Sequence, residues 1–268
     1  MLYLLSSFFL LAAEPTYILR SPDYNPGMFS LFSTVLGFLE FYEQNACAIE
    51  VDLGKKGVYY EKKKGPNWWS YYFEPIVLGD ATDAKTQITD DQQSSFAHKA
   101  LSQMSREDAH RLIEKYIHIK KPLKEKIDVF VNQHFKDQYV IGVHYRGTDK
   151  ISEAPRVDYE TVYQAIDAAI GGRVDYKLFI ATDEQPFLDA VSIRYKGKIL
   201  SLNAIRSTNG KAIHASRKNA YQKGEEALLD CVLLSKTDLL IRTPSNLSAC
   251  SALFNPKIPV IVLTSNLY

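Results

Sequence analysis

The sequence has 268 residues, of which 46% are hydrophobic and 24% charged, so it can bury the core of one large domain or two modest ones. Its formal net charge of +1 excludes a whole-molecule field that would gather nucleic acid or anionic lipid, and we expect no nucleic-acid partner. The three cysteines form no C-x-x-C pair, which argues against a disulfide framework and a structural zinc site.

The first thirteen residues, MLYLLSSFFLLAA, are strongly apolar. A cleaved signal fits because Ala12-Ala13 could precede a cleavage site, and a buried first strand fits because no Lys or Arg precedes the run. The run is too short to span a bilayer, so no stable membrane span is expected. Localisation stays open between the cytoplasm and the secretory pathway.

The N-terminal half is predicted to be irregular. An apolar helix is expected over residues 31–42 and a strand over 48–51, while the polar residues 80–95 are typical of a surface connection. A helix over 105–115 has Ser105 as its N-cap. The aromatic cluster at residues 68–73 is interpreted as core packing rather than as a sugar-stacking platform.

The C-terminal half alternates strands with helices. Predicted strands cover residues 139–143, 178–181, 199–202, 239–241 and 258–263. Predicted helices cover 158–170, 186–195, 224–234 and 246–253, with Asp158 capping the first and Gly171-Gly172 ending it. Such alternation predicts right-handed crossovers and a doubly wound parallel sheet covered on both faces.

Polar residues follow several of these strands, and parallel sheets bind ligands outside the carboxyl ends of their strands. Arg146 can donate two parallel hydrogen bonds to phosphate oxygens, and the helix beginning near Ser245 offers free N–H groups to an anion. Asp183 or Asp230 can accept from base or ribose groups. The sequence contains no G-x-x-x-x-G-K-[ST], G-x-G-x-x-G or G-x-S-x-G, which disfavours a P-loop enzyme, a hydride-transfer cofactor and an α/β hydrolase.

Each of these residues also has a structural interpretation. Arg146 could form a surface ion pair with Asp149, and His144 could be a half-buried histidine without a ligand. Asp183 and Ser245 could each simply cap a helix. Asp230 differs because it lies inside an apolar helix, where an unpaired carboxylate is costly.

The segments that carry most of these polar residues resemble a known family. They are residues 141–150 (IGVHYRGTDK), 179–184 (FIATDE) and 227–248 (ALLDCVLLSKTDLLIRTPSNLS). The first is similar to the H-x-R-x-T-D-K motif of GDP-fucose-dependent fucosyltransferases, closest to the α1,6-fucosyltransferases. The resemblance implies a GT-B-like fold with two Rossmann-type α/β domains: an acceptor-side domain over residues 1–135 and a donor domain over 136–268.

The resemblance also implies roles for individual residues. Arg146 would bind the donor β-phosphate, His144 would lie against the nucleoside and Asp230 would recognise guanine. Asp183 would support the donor site or the Arg146 loop, and Arg217 or Lys218 would add a cation. Thr243, Ser245 and Asn246 would lie beside the diphosphate. Glu153 would be the general base, with Lys150 beside it facing the acceptor, and no metal or other cofactor would be needed.

The predicted function is therefore an inverting glycosyltransferase that moves fucose from GDP-fucose to a hydroxyl of a glycan acceptor. Two alternatives remain open: a transferase for another nucleotide sugar, and a nucleotide- or carbohydrate-binding protein of the same fold without turnover. The acceptor, the linkage and the oligomeric state are not indicated.

Overall fold

The computed structural model describes residues 14–24, 26–148, 156–210 and 218–264. The predictions for residues 1–13 lie outside these ranges.

The strands, in chain order, are β1 (Thr16–Leu19), β2 (Ala48–Val51), β3 (Val77–Leu78), β4 (Lys85–Gln87), β5 (Val140–Tyr145), β6 (Lys177–Thr182), β7 (Ile199–Leu200), β8 (Leu239–Arg242) and β9 (Val260–Val262). The α-helices are α1 (Met28–Gln44), α2 (Asp90–Ser102), α3 (Arg106–Tyr116), α4 (Lys121–His134), α5 (Tyr159–Ile170), α6 (Gln185–Arg194), α7 (Ala220–Ser235) and α8 (Asn246–Phe254). Short 3-10 helices cover Lys62–Lys64 and Trp68–Tyr71.

The N-terminal half is more regular than predicted. Its sheet has the order β3-β2-β1-β4, in which β1 pairs in parallel with β2 and β4, while β3 is antiparallel to β2. The prediction of a surface connection over residues 80–95 was wrong, because β4 and the start of α2 lie there. The Thr89 side chain accepts from Gln92 N at 3.3 Å, and the Gln92 side chain accepts from Thr89 N at 2.9 Å. This reciprocal capping box begins α2 in a stretch with little apolar signal.

The C-terminal sheet confirms the doubly wound prediction. Its order is β7-β6-β5-β8-β9, and every adjacent pair is parallel. The chain moves outward from β5 to β6 and β7, then returns through α7 to place β8 on the other side of β5. The strand order therefore reverses between β5 and β8, which is where open parallel sheets bind ligands.

The helix ends follow the predicted capping chemistry. Asp158 accepts a hydrogen bond from Thr161 N at 2.7 Å and begins α5, and Gly171 ends that helix at φ 55°. Ser105 likewise accepts from Asp108 N at 3.0 Å at the start of α3. These local contacts explain why the bounds of both helices agree with the prediction.

Two hydrophobic clusters cover the faces of the C-terminal sheet. Ile141, Val143 and Tyr145 pack with residues of α5 and α6 on one face. On the other face the cluster includes α7 and α8 and continues into α1 and the aromatic residues around Trp69, which confirms that this aromatic cluster is core. The three cysteines are free and buried. None of the helices described is long and apolar enough to cross a membrane.

Candidate functional site

Polar groups predicted from the sequence to bind a ligand lie at the carboxyl edge of the C-terminal sheet. His144 and Arg242 are paired in register at the ends of β5 and β8, the two strands between which the strand order reverses. Helix α8 starts four residues after β8 ends, and α7 lies just before β8, so both helices point their amino ends at this edge. Positive helix ends and an arginine at a crevice favour an anionic ligand.

Hydrogen bonds on both sides fix the loop that carries Arg146. Arg146 N donates to Thr243 Oγ1 at 3.1 Å, and Thr243 N donates to the His144 carbonyl at 3.1 Å. On the other side Gly147 N donates to Asp183 Oδ1 at 3.1 Å, and the Thr148 hydroxyl donates to Asp183 Oδ2 at 2.6 Å. The backbone of Arg146 is therefore held between β8 and the end of β6, which pre-organises the loop for a ligand.

These contacts decide what Asp183 does. Its two carboxylate oxygens accept from the Arg146 loop, while the N-cap of α6 is Glu184 and makes no side-chain cap. The alternative interpretation, that Asp183 caps the next helix, is therefore wrong. Asp183 supports the loop through hydrogen bonds.

A second acidic residue lies directly beneath this loop. The Glu184 side chain is 3% exposed, and a Cβ added to Gly147 would lie 2.3 Å from its Cδ, so only glycine fits above it. Arg156 Nη2 bonds both Glu184 oxygens, at 3.1 and 2.9 Å, and Tyr159 donates to Oε2 at 3.0 Å. The buried charge is thus paired and hydrogen-bonded, which keeps it from destabilising the site.

This arrangement was not recognised in the sequence. Arg156 also donates from Nε to the Tyr145 hydroxyl at 3.0 Å, so it links the ends of β5 and β6. Burial and the neighbouring Glu184 both raise the pKa of Tyr159. The position of Glu184 two residues after a strand was visible, but nothing local indicated Arg156 as its partner.

The opposite end of the crevice carries Asp230. A Cβ on Gly142 would lie 3.1 Å from Leu234 Cδ2, so α7 crosses β5 in close contact at that point. His144 lies two residues after Gly142 on the same face of β5, which places it about 6.6 Å closer to the carboxyl edge of the sheet. Asp230 lies one helical turn before Leu234. Because α7 runs opposite to β5, this places Asp230 about 6 Å closer to the carboxyl edge than Leu234. His144 and Asp230 therefore lie at a similar distance from the carboxyl edge of the sheet.

The Asp230 carboxyl is in an unusual state. Its side chain is partly exposed as a whole, but Oδ1 is buried and makes no hydrogen bond to any residue the structure describes. Burial raises its pKa from 3.8 to about 7, although the nearby Arg206 opposes the change. A buried oxygen without a donor is costly, and a ligand with N–H groups would satisfy it.

The segment after β7 lies next to Asp230 and had no signal in the sequence. Arg206 donates to the carbonyls of Leu202 at 2.7 Å and Ala204 at 3.3 Å, and Ile205 N donates to Glu226 Oε2 at 3.0 Å. The bond from Ile205 ties the segment to α7, and the Arg206 bonds close the segment on itself. A cavity of about 410 Å³ lies further out between α4 and α7; Glu226 lines it, whereas Asp230 and the Arg146 loop do not.

The start of α8 completes the edge. Ser245 is the N-cap of α8 but makes no side-chain cap, and its Oγ is buried without a hydrogen-bond partner among the residues that are described. The capping interpretation of Ser245 is therefore wrong. Asn246 is the first helical residue, so the free N–H groups of this helix and the Ser245 hydroxyl face the same edge as Arg146.

Four predicted site residues lie outside the described ranges. They are Asp149, Lys150, Glu153 and Arg217. The assignment of the general base and the alternative Arg146–Asp149 ion pair both stay predictions. Within the described ranges no three His, Cys, Asp or Glu side chains are grouped so that they could hold a metal ion.

Comparisons with known proteins identify relatives of this chain. Nodulation protein Z from Bradyrhizobium diazoefficiens is 26% identical over 216 residues, which cover 72% of this chain and 58% of the relative. Nodulation protein Z from Sinorhizobium fredii is 26% identical, covering 67% of this chain and 62% of that relative. The chain thus spans less than two thirds of the length of either relative.

A solved structure shares the fold over almost the whole chain. It is a crystal structure of NodZ alpha-1,6-fucosyltransferase soaked with GDP-fucose, with a TM-score of 0.65 and 18% identity, covering 95% of this chain and 96% of the other. The GT-B-like α/β prediction is confirmed by this similarity. The family model of Nodulation protein Z (NodZ) matches residues 83–263. Since this match spans more than half of the sequence, the chain belongs to the NodZ family.

Proposed function

We propose that the chain is an inverting glycosyltransferase that transfers fucose from GDP-fucose to a hydroxyl of a glycan acceptor. The observation that carries the proposal is the buried, unpartnered Oδ1 of Asp230 at the height of His144, in the same crevice as the fixed Arg146 loop. The similar structure named above was soaked with GDP-fucose, which supports the choice of donor.

The chemistry of Asp230 favours guanine over uracil. Guanine presents two adjacent donors, N1–H and the N2 amino group, which a carboxylate can accept together. Uracil has a single N–H between two carbonyl oxygens, and those oxygens would be repelled by a carboxylate. A GDP-sugar therefore fits this end of the crevice better than a UDP-sugar.

The other end of the crevice suits a leaving diphosphate. As the bond from the sugar carbon to the β-phosphate oxygen breaks, negative charge grows on that oxygen. Arg146 and the amino end of α8 would stabilise this charge more strongly in the transition state than in the bound donor. Thr243 and Asp183 contribute by holding the Arg146 backbone in place before the donor binds.

The acceptor step needs a base. The acceptor hydroxyl oxygen attacks the sugar carbon from the side opposite the diphosphate, which inverts its configuration, and its proton passes to a carboxylate. Through the family resemblance we assign this role to Glu153, with Lys150 beside it. The N-terminal domain, residues 1–135, would present the acceptor. Charge stabilisation by Arg146 and helix ends leads us to expect transfer without a divalent metal.

The test is a calorimetric titration of the purified chain with GDP and UDP, with and without EDTA. We expect GDP to bind more tightly than UDP, with no effect of EDTA, and Arg146→Ala to weaken GDP binding by roughly tenfold or more. Arg173→Ala is the matched control, because Arg173 is exposed in the turn between α5 and β6 at the opposite edge of the sheet. A preference for UDP, or no nucleotide binding, would contradict the proposal.

Turnover separates the transferase from a binding protein of the same fold. With GDP-fucose and a pool of oligosaccharide acceptors, the native chain should release GDP and form a fucosylated product. Glu153→Gln should keep GDP binding and lose product formation. Binding without any product from the native chain would favour the non-catalytic alternative, and product from Glu153→Gln would place the base elsewhere.

A further inference from the structure

The Arg146 loop lies directly against an ion pair that has no part in the proposed function so far. The pair joins Glu184, two residues after β6, to Arg156, three residues before α5. The Glu184 side chain is 4% exposed and that of Arg156 is 43% exposed, so the anion is buried while the cation reaches solvent. A Cβ added to Gly147 would lie 2.3 Å from Glu184 Cδ, which places this carboxyl group in contact with the loop backbone.

The Glu184 carboxyl group is fixed in this position. The backbone on both sides of it is bonded to one residue, since Gln185 N donates to the Ser207 carbonyl at 2.9 Å and Ser207 N donates to the Asp183 carbonyl at 2.8 Å. The Tyr159 hydroxyl also donates to Glu184 Oε2 at 3.0 Å. The negative charge is therefore held beneath the loop by contacts that do not involve Arg156.

Arg156 has a support of its own that does not involve Glu184. Its Nε donates to the Tyr145 hydroxyl at 3.0 Å, and this hydroxyl donates to the Val157 carbonyl at 2.9 Å. Tyr145 is fully buried at the end of β5. Each member of the pair is thus positioned by neutral groups, so either charge can be removed by substitution while the other stays in place.

The charge of this pair matters because an anion is expected on the same loop. A diphosphate bound by the Arg146 loop would meet the field of Glu184 across the backbone of Gly147. Asp183 already places one carboxylate against this loop, and Glu184 without Arg156 would add a second. One unit charge about 8 Å from a bound anion changes its affinity by roughly tenfold or more at the effective dielectric constant of a protein.

We propose that the net charge of the Arg156–Glu184 pair sets how tightly the Arg146 loop binds the diphosphate of the nucleotide donor. The inference rests on the proposed function and deepens it. Arg156 is a positioning residue in this scheme: it acts through Glu184, whose charge it cancels, and it keeps the loop able to accept an anion.

The experiment titrates GDP and guanosine into the native chain, Arg156→Met, Glu184→Gln and the variant with both substitutions. Relative to the native pair, Arg156→Met leaves an extra negative charge, Glu184→Gln leaves an extra positive charge, and the double variant leaves neither. We expect GDP to bind about tenfold more weakly to Arg156→Met, severalfold more tightly to Glu184→Gln, and within about threefold of the native affinity to the double variant. Guanosine, which is uncharged, should stay within about twofold throughout.

Arg194→Met is the matched control. Arg194 also bonds a carboxylate and a tyrosine hydroxyl, Asp167 Oδ2 at 2.7 Å and Tyr195 at 3.3 Å, but it is the last residue of α6, at the opposite edge of the sheet. Its substitution should leave GDP affinity within about twofold. Arg156→Lys keeps the cation and should hold GDP affinity within about threefold, which provides the comparison should the Met variant not fold.

The pattern across variants identifies what fails. If the native chain binds GDP but Arg156→Met weakens GDP and guanosine equally, or weakens neither, the inference is overturned while the proposed function stands. The same holds if the double variant binds GDP as weakly as Arg156→Met, because the pair would then act through packing and not through charge. If the native chain binds neither ligand, the proposed function fails and this inference with it.

Discussion

Replacing Asp230 with Asn tests the state of the buried carboxyl directly. Burial raises its pKa from 3.8 to about 7, so the folded chain holds a proton that the unfolded chain releases between these pH values. Ionised Asp230 therefore destabilises the fold, and the destabilisation grows as the pH rises from about 4 to about 7. Below the unfolded pKa both states are protonated and the effect vanishes.

The size of the effect follows from the two pKa values. They differ by about three pH units, and at about 1.4 kcal/mol for each unit the ionised carboxyl costs on the order of 4 kcal/mol above pH 7. An amide of the same shape carries no charge and avoids most of this cost. We therefore expect Asp230→Asn to raise the free energy of unfolding by about 1 to 4 kcal/mol at pH 8 and by little at pH 4.

The assay is urea denaturation followed by circular dichroism at several pH values between 4 and 8, without nucleotide. Asp175→Asn is the control, because Asp175 is exposed in the turn before β6. In the Asp230→Asn variant, GDP binding should weaken and lose its pH dependence. In the native chain GDP affinity should fall about fivefold between pH 7 and pH 6, because a protonated Asp230 can no longer accept from both guanine N–H groups.

Either of two results would refute this reasoning. If the stability difference between Asp230→Asn and the native chain is the same at pH 4 and pH 8, the carboxyl is not held protonated by burial. If the variant is less stable at every pH, Asp230 accepts hydrogen bonds within the protein, and its assignment to the nucleotide loses its basis.

Three further substitutions test how the crevice and its supports are built. Gly147→Ala would place a Cβ 2.3 Å from Glu184 Cδ, so we expect a displaced Arg146 loop and GDP binding weakened by about a hundredfold in titrations, with secondary structure unchanged. Asp183→Ala removes the acceptor of two loop hydrogen bonds and should lower the free energy of unfolding by about 2 kcal/mol in urea denaturation; an unchanged value would show that the loop does not depend on Asp183. Gly224→Ala places a Cβ 2.2 Å from the Tyr72 hydroxyl oxygen and should destabilise the chain by about 1 to 3 kcal/mol, despite the better helix propensity of alanine. A gain in melting temperature for Gly224→Ala would contradict the close contact.

The C-terminal half was predictable because its signals are local. Asp158 and Gly171 mark the ends of α5 by capping and by a left-handed conformation, and the apolar runs of β5 and β6 are buried on both faces. The parallel order then brings residues after separate strands to one edge without any knowledge of tertiary contacts. That is why His144, Arg146, Asp183, Thr243 and Ser245 could be grouped from the sequence.

Other parts depend on contacts that the sequence does not show. β1 and β4 are only four and three residues long and form because they pair with each other, while β1 also pairs with β2. Helix α2 buries few side chains, so the hydrophobic periodicity of its sequence is weak. Arg156 pairs with Glu184 and Arg206 lies near Asp230, each more than twenty residues away along the chain, and no motif indicates such pairs. The domain boundary at residues 135 and 136 stays a prediction.

The continuous core on the α7 and α8 face of the sheet limits how this protein can be divided. Leu36 of α1, Ile113 of α3 and Leu253 of α8 belong to one buried cluster, so cutting the chain before β5 would leave apolar surface on both pieces. Residues 136–268 produced alone would therefore aggregate or require the missing half in trans. Heating the whole chain should melt both sheets in one cooperative step, since neither can keep its share of the core without the other.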